Sequence, residues 1–60
     1  MHADINGALA NINKSWRVFQ HKGNPMTKAQ VTAVLLYAQR MGYDTTAELT
    51  DEEIDQVLNS

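Results

Sequence analysis

Residues 27–42, TKAQVTAVLLYAQRMG, decide the fold because they carry both the start and the end of a helix. The hydroxyl of Thr27 can accept from a free backbone N–H of the first turn, and Gln30 can return a bond to the N–H of Thr27. Gly42 can adopt the left-handed conformation that ends a helix, and Arg40 places positive charge near that end. The stretch therefore predicts a central helix over about residues 28–41.

This predicted helix has two faces that differ in character. At about 100° per residue, one face collects the apolar side chains that would form the core: Val31, Val34, Leu35, Ala38 and Met41. The opposite face predicts a partner-binding surface, whose residues are Ala29, Ala33, Leu36, Tyr37 and Arg40. The alternative is a single exposed leucine, which needs no explanation. A chain of 60 residues has difficulty burying enough area alone, which favours a second packing surface.

Helices are predicted on both sides of the central one. The spacing of Ile5, Leu9, Ile12, Trp16 and Phe19 is typical of a first helix over about residues 4–22. Asp4 or Asn6 could cap its start, while Gly23 and Pro25 would end it. At the other end of the chain, Thr50 and Glu53 predict a capping box for a short acidic helix over about residues 51–58.

These elements predict an all-α fold with one domain over residues 1–60. A short connection between the first two helices favours an antiparallel hairpin, which the acidic third helix would close. The predicted architecture is a small three-helix domain.

Charge is divided unevenly along the chain. Residues 1–42 contain all five lysines and arginines and one acid, a net charge of +4, whereas residues 43–60 contain six acids and no lysine or arginine, a net charge of −6. A possible basic patch on the first helix consists of Lys14, Arg17, Val18, His21 and Lys22. It could contact nucleic-acid phosphates, or it could pair with the acidic end of the same chain or of a second copy. The exposed valine suits a protein partner better than a phosphate backbone.

The sequence gives little support to other functions. Cysteine is absent, and the two histidines, His2 and His21, have no helix-spaced metal-binding partner. A calcium loop beginning at Asp44 would need glycine at its sixth position and glutamate at its twelfth, but these positions hold Leu49 and Asp55. The sequence therefore does not predict a calcium loop. No nucleophile motif, phosphate loop, signal peptide or membrane-length apolar run is present. We therefore expect no enzyme activity, cofactor, metal, small-molecule substrate or membrane association, and a cytoplasmic location.

The resulting hypothesis is a small protein–protein interaction module, such as an adaptor, a regulator or an inhibitor. It would act by docking a helix face on a protein partner or on a second copy of itself. The alternative is a small nucleic-acid-binding module that uses the basic face of the first helix.

Overall fold

The computed structural model describes residues 4–60, which are mostly helical and include one small two-stranded sheet. The elements in chain order are α1 (Ile5–Ala10), α2 (Ile12–Ser15), a first 3₁₀ turn (Trp16–Val18), β1 (Gln20–His21), β2 (Asn24–Pro25), α3 (Lys28–Arg40), a second 3₁₀ turn (Thr46–Glu48) and α4 (Asp51–Leu58).

The central and acidic helices are confirmed at the predicted positions. In α3, the backbone N–H of Gln30 donates to Thr27 Oγ1 at 3.1 Å, and the N–H of Thr27 donates to Gln30 Oε1 at 2.9 Å. α4 begins with an equivalent capping box. The N–H of Glu53 donates to Thr50 Oγ1 at 3.1 Å, and the N–H of Thr50 donates to Glu53 Oε1 at 3.0 Å. These bonds satisfy backbone donors that have no partner within a helix, so the local sequence fixes where both helices begin.

The single first helix predicted over residues 4–22 is wrong. Asp4, one of the two candidate caps, caps α1, but α1 ends at Ala10, and Asn11 has φ −119° and ψ 29°. Asparagine is a poor interior helix residue because its side chain stabilises turn conformations instead. After α2 and the first 3₁₀ turn the chain becomes extended, with Phe19 at φ −84° and ψ 134°.

A β-hairpin replaces the predicted end of that helix. Gln20 pairs with Pro25 and His21 with Asn24 in antiparallel register. The two turn residues, Lys22 and Gly23, have φ of +53° and +80°. Positive φ at both central positions is what a two-residue type I′ hairpin turn requires. Gly23 therefore forms a hairpin turn and not a helix end, and the fold is not purely α-helical.

The core lies against the inner face of α3. Val31, Val34, Leu35 and Ala38 are buried there as predicted, whereas Met41 follows the last residue of α3 and is 53% exposed, so its placement in the core was wrong. The other buried side chains are Ile5, Ala8 and Met26. Partly buried side chains complete the cluster: Leu9, Ile12, Trp16, Phe19, Tyr43, Leu49, Ile54, Val57 and Leu58.

Both α1 and α4 pack against α3, but they do so differently. α1 contributes two buried side chains, Ile5 and Ala8, and the N–H of its first residue, Ile5, also donates to the carbonyl of Asp44 at 3.1 Å. α4 contributes no fully buried side chain and relies on half-buried ones. Polar contacts consequently matter more for holding α4 in place than for holding α1.

Candidate interaction surfaces

The outer face of α3 is defined by Ala29, Ala33, Leu36, Tyr37 and Arg40, on the side opposite the core. Leu36 is 46% exposed, and Ala29, Ala33 and Arg40 are exposed as well. Tyr37 differs from the others because it is half-buried at the edge of the face. The structure therefore brings four of these residues together on an uncovered stripe and turns the fifth toward α4.

Hydrogen bonds to neighbouring elements run along both edges of this face. On one edge, Gln39 Nε2 donates to Asn6 Oδ1 of α1 at 2.8 Å, and Lys28 Nζ donates to Asn13 Oδ1 of α2. On the other edge, the hydroxyl of Tyr37 donates to Glu53 Oε2 of α4 at 3.2 Å. The outer face of α3 thus lies between the α1–α2 segment and α4. Three polar side chains at its borders, those of Lys28, Tyr37 and Gln39, are hydrogen-bonded to these neighbours.

Glu53 joins α4 to α3 through a half-buried carboxylate. The hydroxyl of Tyr43 donates to Glu53 Oε2 at 2.6 Å, which lowers the pKa of Glu53, helped by bonds from Thr50 and Tyr37. The same bond to Glu53, reinforced by burial, raises the pKa of Tyr43 from 10.0 to about 12. Burial, followed by the bond to Glu53, raises the pKa of Tyr37. Glu53 therefore acts both as a helix cap and as an acceptor for two tyrosines.

The basic patch predicted from the sequence is divided by a second carboxylate of α4. Asp55 accepts from Lys22 Nζ at 2.8 Å through Oδ2, and its Oδ1 lies 2.7 Å from His21 Nε2. The side chain of His21 is only 9% exposed. The bond from Lys22, and then the one from His21, lowers the pKa of Asp55, while the pKa of Lys22 is raised. These two members of the patch thus contact the acidic helix of their own chain.

The other members of the patch remain on the surface. Lys14 and Arg17 are exposed, and the guanidinium carbon of Arg17 lies 5.6 Å from the centroid of the Trp16 ring, within the range of a cation–π contact. Val18 is 77% exposed. Lys28 reaches the same region through its bond to Asn13, which precedes Lys14.

Within residues 4–60, no group of three histidine or acidic side chains is arranged to hold a metal ion. His2 lies outside the described residues. No helix among those described has the length and apolar character needed to span a membrane.

Sequence reasoning missed the role of Glu53 as an acceptor for Tyr37 and Tyr43. It identified Glu53 only as a helix cap, and nothing in the spacing of Tyr43 and Glu53 predicts that the two meet. The pairing of His21 and Lys22 with Asp55 had a visible signal, because all cations precede residue 43 and most acids follow it. That pairing was one of the alternatives left open for the patch.

The chain matches no protein-family model, no curated protein and no solved structure.

Proposed function

We propose that this protein is a small protein–protein interaction module that binds a helix of its partner against the outer face of α3. The observation that carries the proposal is the half-exposed Leu36 at the centre of a stripe with exposed Ala29 and Ala33. Polar side chains on both borders of this stripe already have partners within the chain. The stripe itself offers mainly apolar contact, which is what helix-face docking uses.

The geometry suits the close approach of a second helix. Alanine at positions 29 and 33 leaves room for another backbone at the short end of the usual interaxial range of about 8–10 Å. Leu36 would then be the apolar anchor that supplies affinity. Arg40, which makes no ion pair within residues 4–60, would orient the partner through its charge.

In this proposal the three helical parts have separate tasks. The α1–α2 segment and α4 support α3 from its two sides, as in a three-helix domain, and α3 presents the docking face. Such a module would act as an adaptor, regulator or inhibitor in the cytoplasm by occupying a surface, without chemistry of its own.

A second copy of the chain is the first partner to test, because it needs only the purified protein. The measurement is molar mass by light scattering after size exclusion, at low and at high salt, for wild type and Leu36→Asp. A dimer that persists in high salt and is lost in Leu36→Asp supports the proposal in its homodimeric form. Met41→Asp is the matched control, since it places the same charge on another exposed apolar side chain, beyond the last residue of α3.

A monomer at both salt concentrations would direct the test to a different protein. Wild type, Leu36→Asp and Met41→Asp would each serve as bait, and a co-purifying protein would be identified, purified and titrated against all three. The proposal requires binding that Leu36→Asp weakens and Met41→Asp does not. If Leu36→Asp stays helical and keeps every assembly that wild type forms, the outer face of α3 is not the binding surface.

The nucleic-acid alternative has less support. Two of the five patch residues, His21 and Lys22, contact Asp55, and the acidic helix α4 lies beside them. Were the alternative correct, Lys14→Glu with Arg17→Glu would abolish binding to duplex DNA, and wild-type affinity would fall steeply with salt.

A further inference from the structure

Four of the five lysines and arginines have no acidic partner within residues 4–60, where Lys22 alone among them forms an ion pair. Three of these four are brought to one region of the surface. Lys14 and Arg17 are three residues apart across the junction of α2 and the first 3₁₀ turn, so they point to the same side. Lys28, at the start of α3, joins them through its bond to Asn13.

An exposed apolar side chain lies next to these cations. Val18 is four residues after Lys14 and, at 77%, is the most exposed large apolar side chain within residues 4–60. It adjoins Arg17, whose guanidinium group is placed over the ring of Trp16 at 5.6 Å. The Trp16 side chain is itself partly buried against the core, so it gives Arg17 a fixed platform. The region therefore combines uncompensated positive charge with one apolar contact point.

We propose that Lys14, Arg17, Lys28 and Val18 form a second docking surface, separate from the outer face of α3, that binds an acidic protein segment carrying an apolar side chain. Charge complementarity supplies the attraction, because three cations without acidic partners favour carboxylates. Burial of Val18 by the apolar side chain of the segment supplies contact area that charge alone does not.

Two observations favour an acidic protein segment over nucleic acid. Single-stranded nucleic acid binds by stacking bases on aromatic rings, but the ring of Trp16 is partly buried and has Arg17 over it. A duplex presents phosphates along its whole length, and Asp51 and Glu52 of α4 are exposed on the same small molecule, where they would repel it. A short acidic segment, unlike a duplex, needs to contact only Lys14, Arg17 and Lys28 and does not have to extend past the acidic residues of α4.

The test is fluorescence anisotropy with defined probes and the full-length chain. The first probe is a short labelled peptide of glutamate with leucine at its centre, and the second has glutamine in place of every glutamate. A short single-stranded DNA and the corresponding duplex complete the set. We expect the acidic peptide to bind more tightly than the other three probes and to lose affinity as salt is added.

Two matched pairs of variants locate the binding. Arg17→Glu should weaken binding of the acidic peptide about fivefold or more, whereas Arg40→Glu, the same change on the outer face of α3, should not. Val18→Asp should weaken it as well, whereas Leu36→Asp should not. All four changes are at exposed positions, so circular dichroism and the urea midpoint should show a folded chain in each case.

The results separate this inference from the proposed function. If Arg40→Glu and Leu36→Asp weaken peptide binding while Arg17→Glu and Val18→Asp do not, the segment binds α3 and the second surface does not exist. Equal binding of the acidic and glutamine peptides, tighter binding of either DNA, or no binding of the acidic peptide at all would each overturn the inference. None of these last results concerns Leu36, so the proposal for α3 would stand or fall on its own experiment.

Discussion

Leu35 and Leu36 are consecutive residues on opposite sides of α3, and they allow the division of that helix into two faces to be tested with one substitution. Leu35 is 0% exposed, whereas Leu36 is 46% exposed. Replacing either by alanine changes the helix propensity by the same small amount. A difference between the two variants therefore measures burial and packing and nothing else.

The expected magnitude follows from the burial of each side chain. Truncating a fully buried leucine to alanine removes apolar contact and leaves a cavity, at a cost of roughly 3–5 kcal/mol. A 60-residue chain has a total stability of roughly 3–9 kcal/mol, so Leu35→Ala should bring the protein close to unfolding. Its melting temperature should fall by about 15 °C or more. Leu36→Ala should cost less than about 1 kcal/mol, because nearly half of its side chain is already in water.

The assay is urea unfolding of wild type and both variants, followed by far-ultraviolet circular dichroism and by the fluorescence of Trp16. The two probes should report one coincident transition if the chain unfolds cooperatively. Similar losses of stability in the two variants would refute the assignment of Leu36 to a free face. A stable Leu35→Ala protein would refute the placement of the core.

Four further predictions concern contacts that hold α4 and the hairpin. The lowered pKa of Glu53 means that its stabilisation is complete above the ordinary pKa of 4.5 and is lost as the pH falls through the folded value, which acid unfolding followed by circular dichroism will show. The raised pKa of Tyr43 means that stability also declines as the pH rises from 10 through about 12; circular dichroism will follow the unfolding, and tyrosinate absorbance will follow the ionisation. Asp55→Asn should lower the urea midpoint at neutral pH, because it weakens the contacts with His21 and Lys22. Gly23→Ala should cost about 1–2 kcal/mol in the same urea assay, since residue 23 has φ +80°.

Three of these predictions have a control within the chain. Tyr43→Phe should remove most of the alkaline effect, and an unchanged alkaline transition would show that Tyr43 is not its source. Asp51→Asn is the control for Asp55→Asn, because Asp51 is 3.9 Å from His21 and 75% exposed, and the reasoning fails if both variants lose the same stability. Gly7→Ala, at a helical position without positive φ, should be tolerated better than Gly23→Ala.

The sequence predicted α3 and α4 well because their boundaries depend on contacts between residues three positions apart. A threonine hydroxyl and a glutamine or glutamate side chain satisfy the first backbone donors whatever the rest of the chain does. The sequence also predicted the buried face of α3 well, since four of its five predicted residues are buried. Met41 was the exception. The spacing of about 100° per residue that assigned it to the core face no longer applies past the last residue of α3.

The predicted first helix failed where the preference for turns outweighed a regular apolar spacing. Leu9, Ile12, Trp16 and Phe19 all pack against the core, as the spacing required. They do so from two short helices, a 3₁₀ turn and an extended residue, because a repeat of apolar positions fixes which side chains face inward and not the path of the backbone between them. The decisive residues were Lys22 and Gly23, whose paired positive φ values belong to a hairpin.

The division of charge along the chain acquires a structural role once α4 is in place. α4 has no fully buried side chain, so it depends on Glu53 and Asp55 to complete its attachment to α3 and to the hairpin. Asp55 bonds to Lys22 and His21 and leaves Lys14, Arg17 and Lys28 without acidic partners among residues 4–60. The same acidic helix that stabilises the fold thereby determines which basic residues remain available to a partner, a consequence that net charge alone does not predict.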